Sequence, residues 1–169
     1  MEVKEVVTLK RIVLVRHAKS SWEHDVTDLK RPLSNTGYND ALLMTGVFNN
    51  LNIKIDTIFS SPALRTKQTA EVFLKNIKPF NLNNYNLDSE LYDFQGNNVE
   101  MFIKNLNNNF ESVMIFTHNN SCNNLFSKFS NINGKCVPTC GILIFEFDVS
   151  LWRNINSGKS SYYFPKNFK

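Results

Sequence analysis

Two histidines and two arginines each follow an apolar stretch of this chain, and these residue types bind and attack anions. Arg16 and His17 end one apolar stretch, His118 ends another, and Arg65 lies shortly after a third. Imidazole changes its charge near neutral pH and also serves as a nucleophile. Guanidinium binds two phosphate oxygens at once. Four such side chains around one pocket would suit phosphate better than a hydrophobic ligand.

Taken one at a time, these residues are ambiguous. His17 would serve equally well as a hydrogen-bonded histidine at the edge of the core, and Arg65 as a solvated arginine on a helix surface. Their roles therefore depend on whether the fold brings them together.

Short apolar runs predict the strands of a buried sheet. The β-branched run Ile12–Val15 is typical of a strand that is covered on both faces. Further strands are predicted over residues 56–59, 112–117 and 141–147, with a weak edge strand within 80–89 and a short strand at 162–164.

Apolar residues at helical spacing predict four helices between these strands. The first runs from about residue 38 to 50, the second follows Pro62 and ends before Pro79, and the fourth follows His118. The predicted caps are Ser34 or Thr36 for the first helix, Ser60 or Ser61 for the second, and Asn97 for the third.

Strands that alternate with helices predict an α/β fold, a three-layer sandwich with a mainly parallel central sheet flanked by helices. Parallel strands place their carboxyl ends at one edge, so Arg16, His17, Arg65 and His118 should share one crevice. The 169 residues are expected to form one domain, with residues 1–10 as an N-terminal extension or a lead-in to the first strand.

The composition of the chain argues against several classes of protein. Hydrophobic residues make up 42% and charged residues 20%, and the net charge of +4 is scattered rather than clustered as in nucleic-acid-binding proteins. No apolar run approaches the ~20 residues that cross a bilayer, and residues 1–10 do not resemble a signal peptide. Three cysteines are expected to be reduced. These features favour a cytoplasmic protein without nucleic-acid or membrane partners.

Three motifs together resemble the histidine phosphatase superfamily: Leu14–Ala18, Ser60–Ala70 and Ile115–Asn119. The short chain, the element Arg31-Pro32-Leu33 and the segment Pro138–Ile142 are similar to its SixA-type phosphohistidine phosphatases. The resemblance runs from about Arg11 to the end of the chain. It implies the phosphoglycerate mutase-like form of the predicted fold.

The sequence departs from the superfamily pattern at several positions. Ala18 replaces the usual glycine of the Arg-His-Gly signature, Thr117 replaces a glycine before the second histidine, and Asn120 stands where proline is frequent. Relatives that cleave phosphate esters often carry a general acid in a Leu-x-Glu segment. Here Leu91-Tyr92-Asp93 offers the shorter Asp93, with Glu90 nearby, either as the general acid or as a plain surface acid.

The resemblance implies that His17 is the nucleophile and forms a phosphohistidine intermediate, which water hydrolyses. Its neutral ring should aim one nitrogen at phosphorus while the other donates to a backbone carbonyl. Arg16, Arg65 and His118 would hold the phosphoryl oxygens, and Arg31 would add a contact or serve a structural role before Pro32. No metal or other cofactor is expected, because these cations neutralise the phosphoryl group.

The lack of a Leu-x-Glu general acid affects which class of substrate the sequence predicts. An alkoxide leaving group needs proton donation, whereas imidazole is protonated near a pKa of ~6.5. The sequence therefore favours a phosphohistidine on another protein. Two alternatives remain, a phosphomonoesterase for a small molecule and a non-catalytic phosphate-binding module. In each case a phosphate or sulfate anion should occupy the site.

Overall fold

The computed structural model describes residues 8–77 and 82–169, and its centre is a six-stranded mixed sheet. The strands are β1 Leu9–Arg16, β2 Thr57–Ser60, β3 Tyr85–Leu87, β4 Ser112–Thr117, β5 Ile142–Asp148 and β6 Lys159–Tyr163. Their order across the sheet is β3-β2-β4-β1-β5-β6. β1 pairs in parallel with β4, and β2 in parallel with both β4 and β3. β5 runs antiparallel to its neighbours β1 and β6.

Helices cover both faces of this sheet. They are α1 Asn35–Asn50, α2 Leu64–Asn76, α3 Asn97–Lys104 and α4 Asn119–Ser130. Alternation along β1 divides the core, because Val13 and Val15 pack with residues of α1 and α2 whereas Ile12 and Leu14 pack with residues of α3 and α4. The predicted three-layer α/β sandwich with a mainly parallel sheet is confirmed.

The strand predictions agree with the structure apart from their ends. β1 begins at Leu9, so residues 9 and 10 belong to the sheet rather than to an extension, and the predicted edge strand is β3. Pro79 and residues 1–7 lie outside the described residues. Among the described residues, no helix is long and apolar enough to span a bilayer.

The helix caps match the predictions only in part. Ser34 caps α1 as expected, accepting a hydrogen bond from the Gly37 amide at 3.1 Å. The prediction for α2 was wrong, because this helix begins after Ala63 without a side-chain cap. Asn97 is the first residue of α3 rather than its cap, and the preceding Gly96 has φ +98°, which glycine adopts without strain.

Close packing places the N-terminus of α1 against the loop behind the first histidine motif. The Lys19 carbonyl accepts hydrogen bonds from the Ser34 amide and hydroxyl at 2.9 and 3.1 Å. A Cβ on Gly37 would lie 2.1 Å from the same oxygen, so only glycine fits. The loop that follows His17 is thereby fixed to α1.

Candidate active site

The structure brings the predicted side chains together at the carboxyl edge of the parallel strands. Arg16 ends β1, His118 immediately precedes α4, and Arg65 lies in the first turn of α2. An open cavity of about 290 Å³ lies here. Its described lining residues are Arg16, His17, Lys19, Ser20, Trp22, Asp28, Arg31, Arg65, Phe94, Asn119 and Thr139. Cationic side chains outnumber the single carboxylate, so the cavity suits an anion.

His17 is held as a neutral imidazole. Its Nδ1–H donates to the Ala18 carbonyl oxygen at 2.7 Å, and because a carbonyl can only accept, Nε2 keeps its lone pair. Burial lowers the pKa of His17 most, the Ala18 bond raises it, and nearby arginines lower it further, to about 3. The ring is therefore neutral at physiological pH, as the sequence led us to expect.

A strained turn from another part of the chain supports the Arg16–His17 backbone. Cys140 adopts φ +60°, which is unusual for a residue with a side chain. Its amide donates to the carbonyl oxygens of both Arg16 and His17, at 3.1 Å each. Arg16 is fixed in addition by a bond from Nη1 to the Val137 carbonyl oxygen at 2.7 Å. The segment before β5 thus positions the first motif.

His118 is buried beside His17 and uses both of its ring nitrogens on protein partners. The ring centroids lie 5.4 Å apart. Nδ1 accepts from Arg65 Nη2 at 3.2 Å, so Nε2 carries the proton and donates to the Ser61 hydroxyl at 2.8 Å. Burial, His17 and Arg65 lower the pKa of His118 to about 2. To contact a phosphoryl oxygen, His118 must exchange one of these partners.

Asp28 is a site residue that the sequence reasoning missed. Its carboxylate accepts from Arg65 Nη2 at 2.9 Å, from Arg31 Nη2 at 3.1 Å and from the Tyr92 hydroxyl at 2.6 Å. Burial alone would raise the pKa of Asp28, but these hydrogen bonds outweigh it and lower the pKa to about 2. The i, i+3 spacing of Asp28 and Arg31 was the available signal.

Arg31 and Arg65 are both oriented through this carboxylate. Arg65, which is fully buried, also donates from Nη1 to the Asp28 carbonyl oxygen at 2.7 Å. Arg31 donates to the Ser20 hydroxyl at 2.5 Å, and its guanidinium carbon lies 3.6 Å from the centroid of the Trp22 ring. The predicted phosphate-binding arginines are therefore held in place before any anion binds.

Asp93 is not the plain surface acid that was one of its two predicted roles, and its role as the general acid stays a prediction. Its carboxylate accepts from the amides of Gln95, Gly96, Asn98 and Val99 at 2.8–3.2 Å, which caps the start of α3. Asp93 is buried and is not among the residues that line the cavity. These four bonds engage both oxygens of the Asp93 carboxylate with the backbone at the start of α3. Glu90 is exposed in a short 3₁₀ helix, Ser89–Leu91.

Comparison with known proteins identifies the family. The model of the histidine phosphatase superfamily (branch 1) matches residues 12–102, just over half of the chain. The chain belongs to the histidine phosphatase superfamily. An uncharacterized chloroplastic protein of Arabidopsis thaliana is 26% identical over 151 residues, 85% of this chain and 69% of that protein.

Solved structures of superfamily members share the fold. The protein histidine phosphatase SixA, complexed with tungstate, is 22% identical with a TM-score of 0.76, over 94% of this chain and 99% of that one. A mycobacterial glucosyl-3-phosphoglycerate phosphatase is 12% identical with a TM-score of 0.65, over 91% and 98%. The predicted SixA-like form of the fold is confirmed. The two solved proteins share this fold, although their names indicate different kinds of substrate.

Proposed function

We propose that this protein is a phosphatase that forms a phosphohistidine intermediate on His17 and removes phosphate from phosphohistidine on another protein. The observation that carries the proposal is the state of Asp28. It is the only carboxylate among the described residues that line the cavity, and its pKa is lowered to about 2. At neutral pH it stays ionised and has no proton for a leaving group.

The missing acid favours cleavage of a P–N bond. An alkoxide is a strong base and departs from phosphorus only when a proton reaches it, whereas an imidazole ring takes up a proton from water near pH ~6.5. Phosphohistidine therefore suits this site better than a sugar phosphate. The likeness to SixA, which was solved with the oxyanion tungstate, supports the same substrate.

The reaction follows from the orientation of His17. The Nε2 lone pair attacks phosphorus in line, the bond from phosphorus to the substrate nitrogen breaks, and that nitrogen keeps the electron pair and is protonated by water. A second water then attacks the phosphoryl group, the bond to Nε2 breaks, and phosphate leaves. Nδ1 keeps its proton throughout and donates it in a hydrogen bond to the Ala18 carbonyl oxygen.

The cationic side chains would stabilise the charge that spreads over the phosphoryl oxygens in the transition state. Arg16, Arg31 and Arg65 surround His17 with three positive charges, so the proposed reaction needs no metal ion. His118 would contact an oxygen after exchanging its bond to Arg65 or Ser61.

The second candidate is a phosphomonoesterase for a small molecule. It is favoured by the likeness to the glucosyl-3-phosphoglycerate phosphatase and by the Tyr92 hydroxyl, a proton donor bonded to Asp28 at the site. A non-catalytic phosphate-binding module is the third candidate. The free Nε2 lone pair of His17 argues against it, because a pure binding site would gain more from a donor at that position.

The decisive experiment compares turnover of a phosphohistidine protein with turnover of a panel of small phosphate esters. We expect the phosphohistidine protein to be dephosphorylated at least 100-fold more efficiently, and His17→Ala to lose at least 1000-fold in kcat/KM, because the nucleophile is gone. Acid-labile phosphate trapped during turnover should map to His17.

Higher efficiency on an ester would favour the second candidate. Anion binding without turnover of any substrate would favour the third. Trapped phosphate on His118, or normal turnover by His17→Ala, would contradict the nucleophile assignment.

A further inference from the structure

We propose that Trp22 and Phe94 form a subsite for a planar ring on the leaving group, and that this subsite selects phosphohistidine over substrates that lack a ring. The proposal rests on the function proposed above and adds residues that recognise the part of the substrate beyond phosphorus. Both side chains line the same cavity as Arg16 and His17.

Trp22 is a large aromatic side chain that lies mostly outside the core. Its relative exposure is 79%, the largest among the big apolar side chains of the described residues. The ring is nevertheless held, because one face stacks on the guanidinium of Arg31 at 3.6 Å. Arg31 itself is buried and bonded to Asp28 and Ser20. A fixed aromatic face at a cavity mouth is suited to stacking on a ligand.

Phe94 supplies a second aromatic ring to the cavity lining, and its ring and backbone are both held by contacts within the protein. Its ring centroid lies 4.7 Å from that of His118 and 5.0 Å from that of Tyr92, whose hydroxyl is bonded to Asp28. The neighbouring Asp93 fixes the backbone by accepting amide bonds, and the Asp93 carbonyl oxygen accepts from Ser121 at 2.5 Å. Phe94 still exposes 42% of its surface.

The direction of attack places the leaving group between these two rings. All three residues line the cavity, but His17 is only 7% exposed whereas Trp22 and Phe94 are 79% and 42% exposed. In-line displacement puts the leaving group on the side of phosphorus opposite to the attacking nitrogen, away from the buried His17 ring and toward the exposed part of the lining. An imidazole ring bound to phosphorus would therefore meet the aromatic faces.

Binding of two phosphonates tests the subsite without depending on turnover. Phenylphosphonate carries a planar ring and methylphosphonate does not. We expect the wild-type protein to bind phenylphosphonate about tenfold more tightly by calorimetry. Trp22→Ala and Phe94→Ala should each reduce that ratio at least threefold, and Trp22→Phe should largely restore it. Met101→Ala, which removes another exposed apolar side chain outside the cavity, should leave the ratio unchanged.

Kinetics with two P–N substrates complete the test. Trp22→Ala should lower kcat/KM for phosphohistidine about tenfold and that for phosphoramidate, whose leaving group is ammonia, less than twofold. Equal wild-type affinity for the two phosphonates would overturn the subsite. Equal losses on both ligands in Trp22→Ala would also overturn it, because Trp22 would then act only through Arg31. A wild-type protein that prefers phenylphosphonate but cleaves neither P–N substrate would support the subsite and contradict the proposed function.

Discussion

At the scale of single residues, the site keeps His17 and His118 neutral and Asp28 charged. Burial is the main reason for the two histidines, since a charged imidazole would lose its hydration among three arginines. Asp28 keeps its charge because Tyr92, Arg65 and Arg31 donate hydrogen bonds to it. The same guanidiniums therefore hold the proposed nucleophile unprotonated and the only carboxylate of the described lining ionised.

Removing the charge of Asp28 should strengthen anion binding. In Asp28→Asn, Arg31 and Arg65 lose their counter-charge. The water-screened Coulomb energy between two unit charges about 4 Å apart is about 1 kcal/mol. We expect inorganic phosphate to inhibit about fivefold more tightly, while kcat falls because Arg31 and Arg65 lose a fixed partner.

Inhibition constants for phosphate at two salt concentrations check this prediction. Asp25→Asn is the control, because Asp25 lies in the same exposed loop and is not among the residues that line the cavity. Unchanged inhibition in Asp28→Asn would mean that its charge does not act on the bound anion.

At the scale of elements, the site is assembled from segments that lie far apart in the sequence. β1 and β4 supply the two histidines at adjacent strand ends, and α2 supplies Arg65. The turn before β5 supports the first motif through Cys140, and the start of α3 fixes the loop with Phe94. Each of these contacts depends on a short loop that is held by hydrogen bonds.

Asp93 should prove to be a structural residue of α3. In Asp93→Ala four backbone amides lose their acceptor, so the free energy of unfolding should fall by about 2 kcal/mol. Activity on esters and on P–N substrates should fall by the same factor, because Phe94 shifts in both cases. Denaturant unfolding and kinetics on both substrate types check this.

Asp88→Ala is the matched control, since Asp88 caps only the short 3₁₀ helix through the Glu90 amide and should cost much less stability. A selective loss of ester cleavage in Asp93→Asn with unchanged stability would instead identify Asp93 as the general acid.

At the scale of the whole molecule, the two buried histidines couple stability to pH. Their folded-state pKa values, about 3 and about 2, lie below the unfolded value of ~6.5, so the unfolded chain binds more protons between these limits. The contribution of the two neutral histidines to the free energy of unfolding is therefore fully present above pH ~6.5 and falls as the pH drops toward 3. Asp28 has a folded-state pKa of about 2 and an unfolded value of ~3.9, so it loses its contribution as the pH falls between these two values.

We expect the free energy of unfolding to fall by up to about 1.4 kcal/mol per pH unit for each histidine below pH 6. Urea titrations between pH 8 and 4.5 measure this slope. His17→Asn and His118→Asn should each make it shallower, even where the variant is less stable at pH 8. A wild-type stability that does not change between pH 7 and 5 would show that the two rings are not held neutral.

Local patterns in the sequence were enough to predict the sheet, the helices and the convergence of Arg16, His17, Arg65 and His118. These predictions succeeded because the residues that follow a buried apolar run and precede a helix lie at the carboxyl end of a parallel strand. The local pattern alone is enough to place them there. Even the neutral tautomer of His17 followed, since a nucleophilic ring needs an acceptor for its second nitrogen.

Only the tertiary structure revealed the contacts of Asp28 and Asp93 and the position of Trp22 and Phe94 in the cavity lining. Asp93 and Asp28 are similar in sequence context, yet the first meets four amides and the second meets two guanidiniums. Likewise Ser61 bonds His118 across the sheet instead of capping α2. A polar side chain takes its role from the partners within about 3 Å. The donors to Asp93 lie within the next six residues, whereas Arg65 and Tyr92 reach Asp28, and His118 reaches Ser61, from distant segments that only the folded chain brings near.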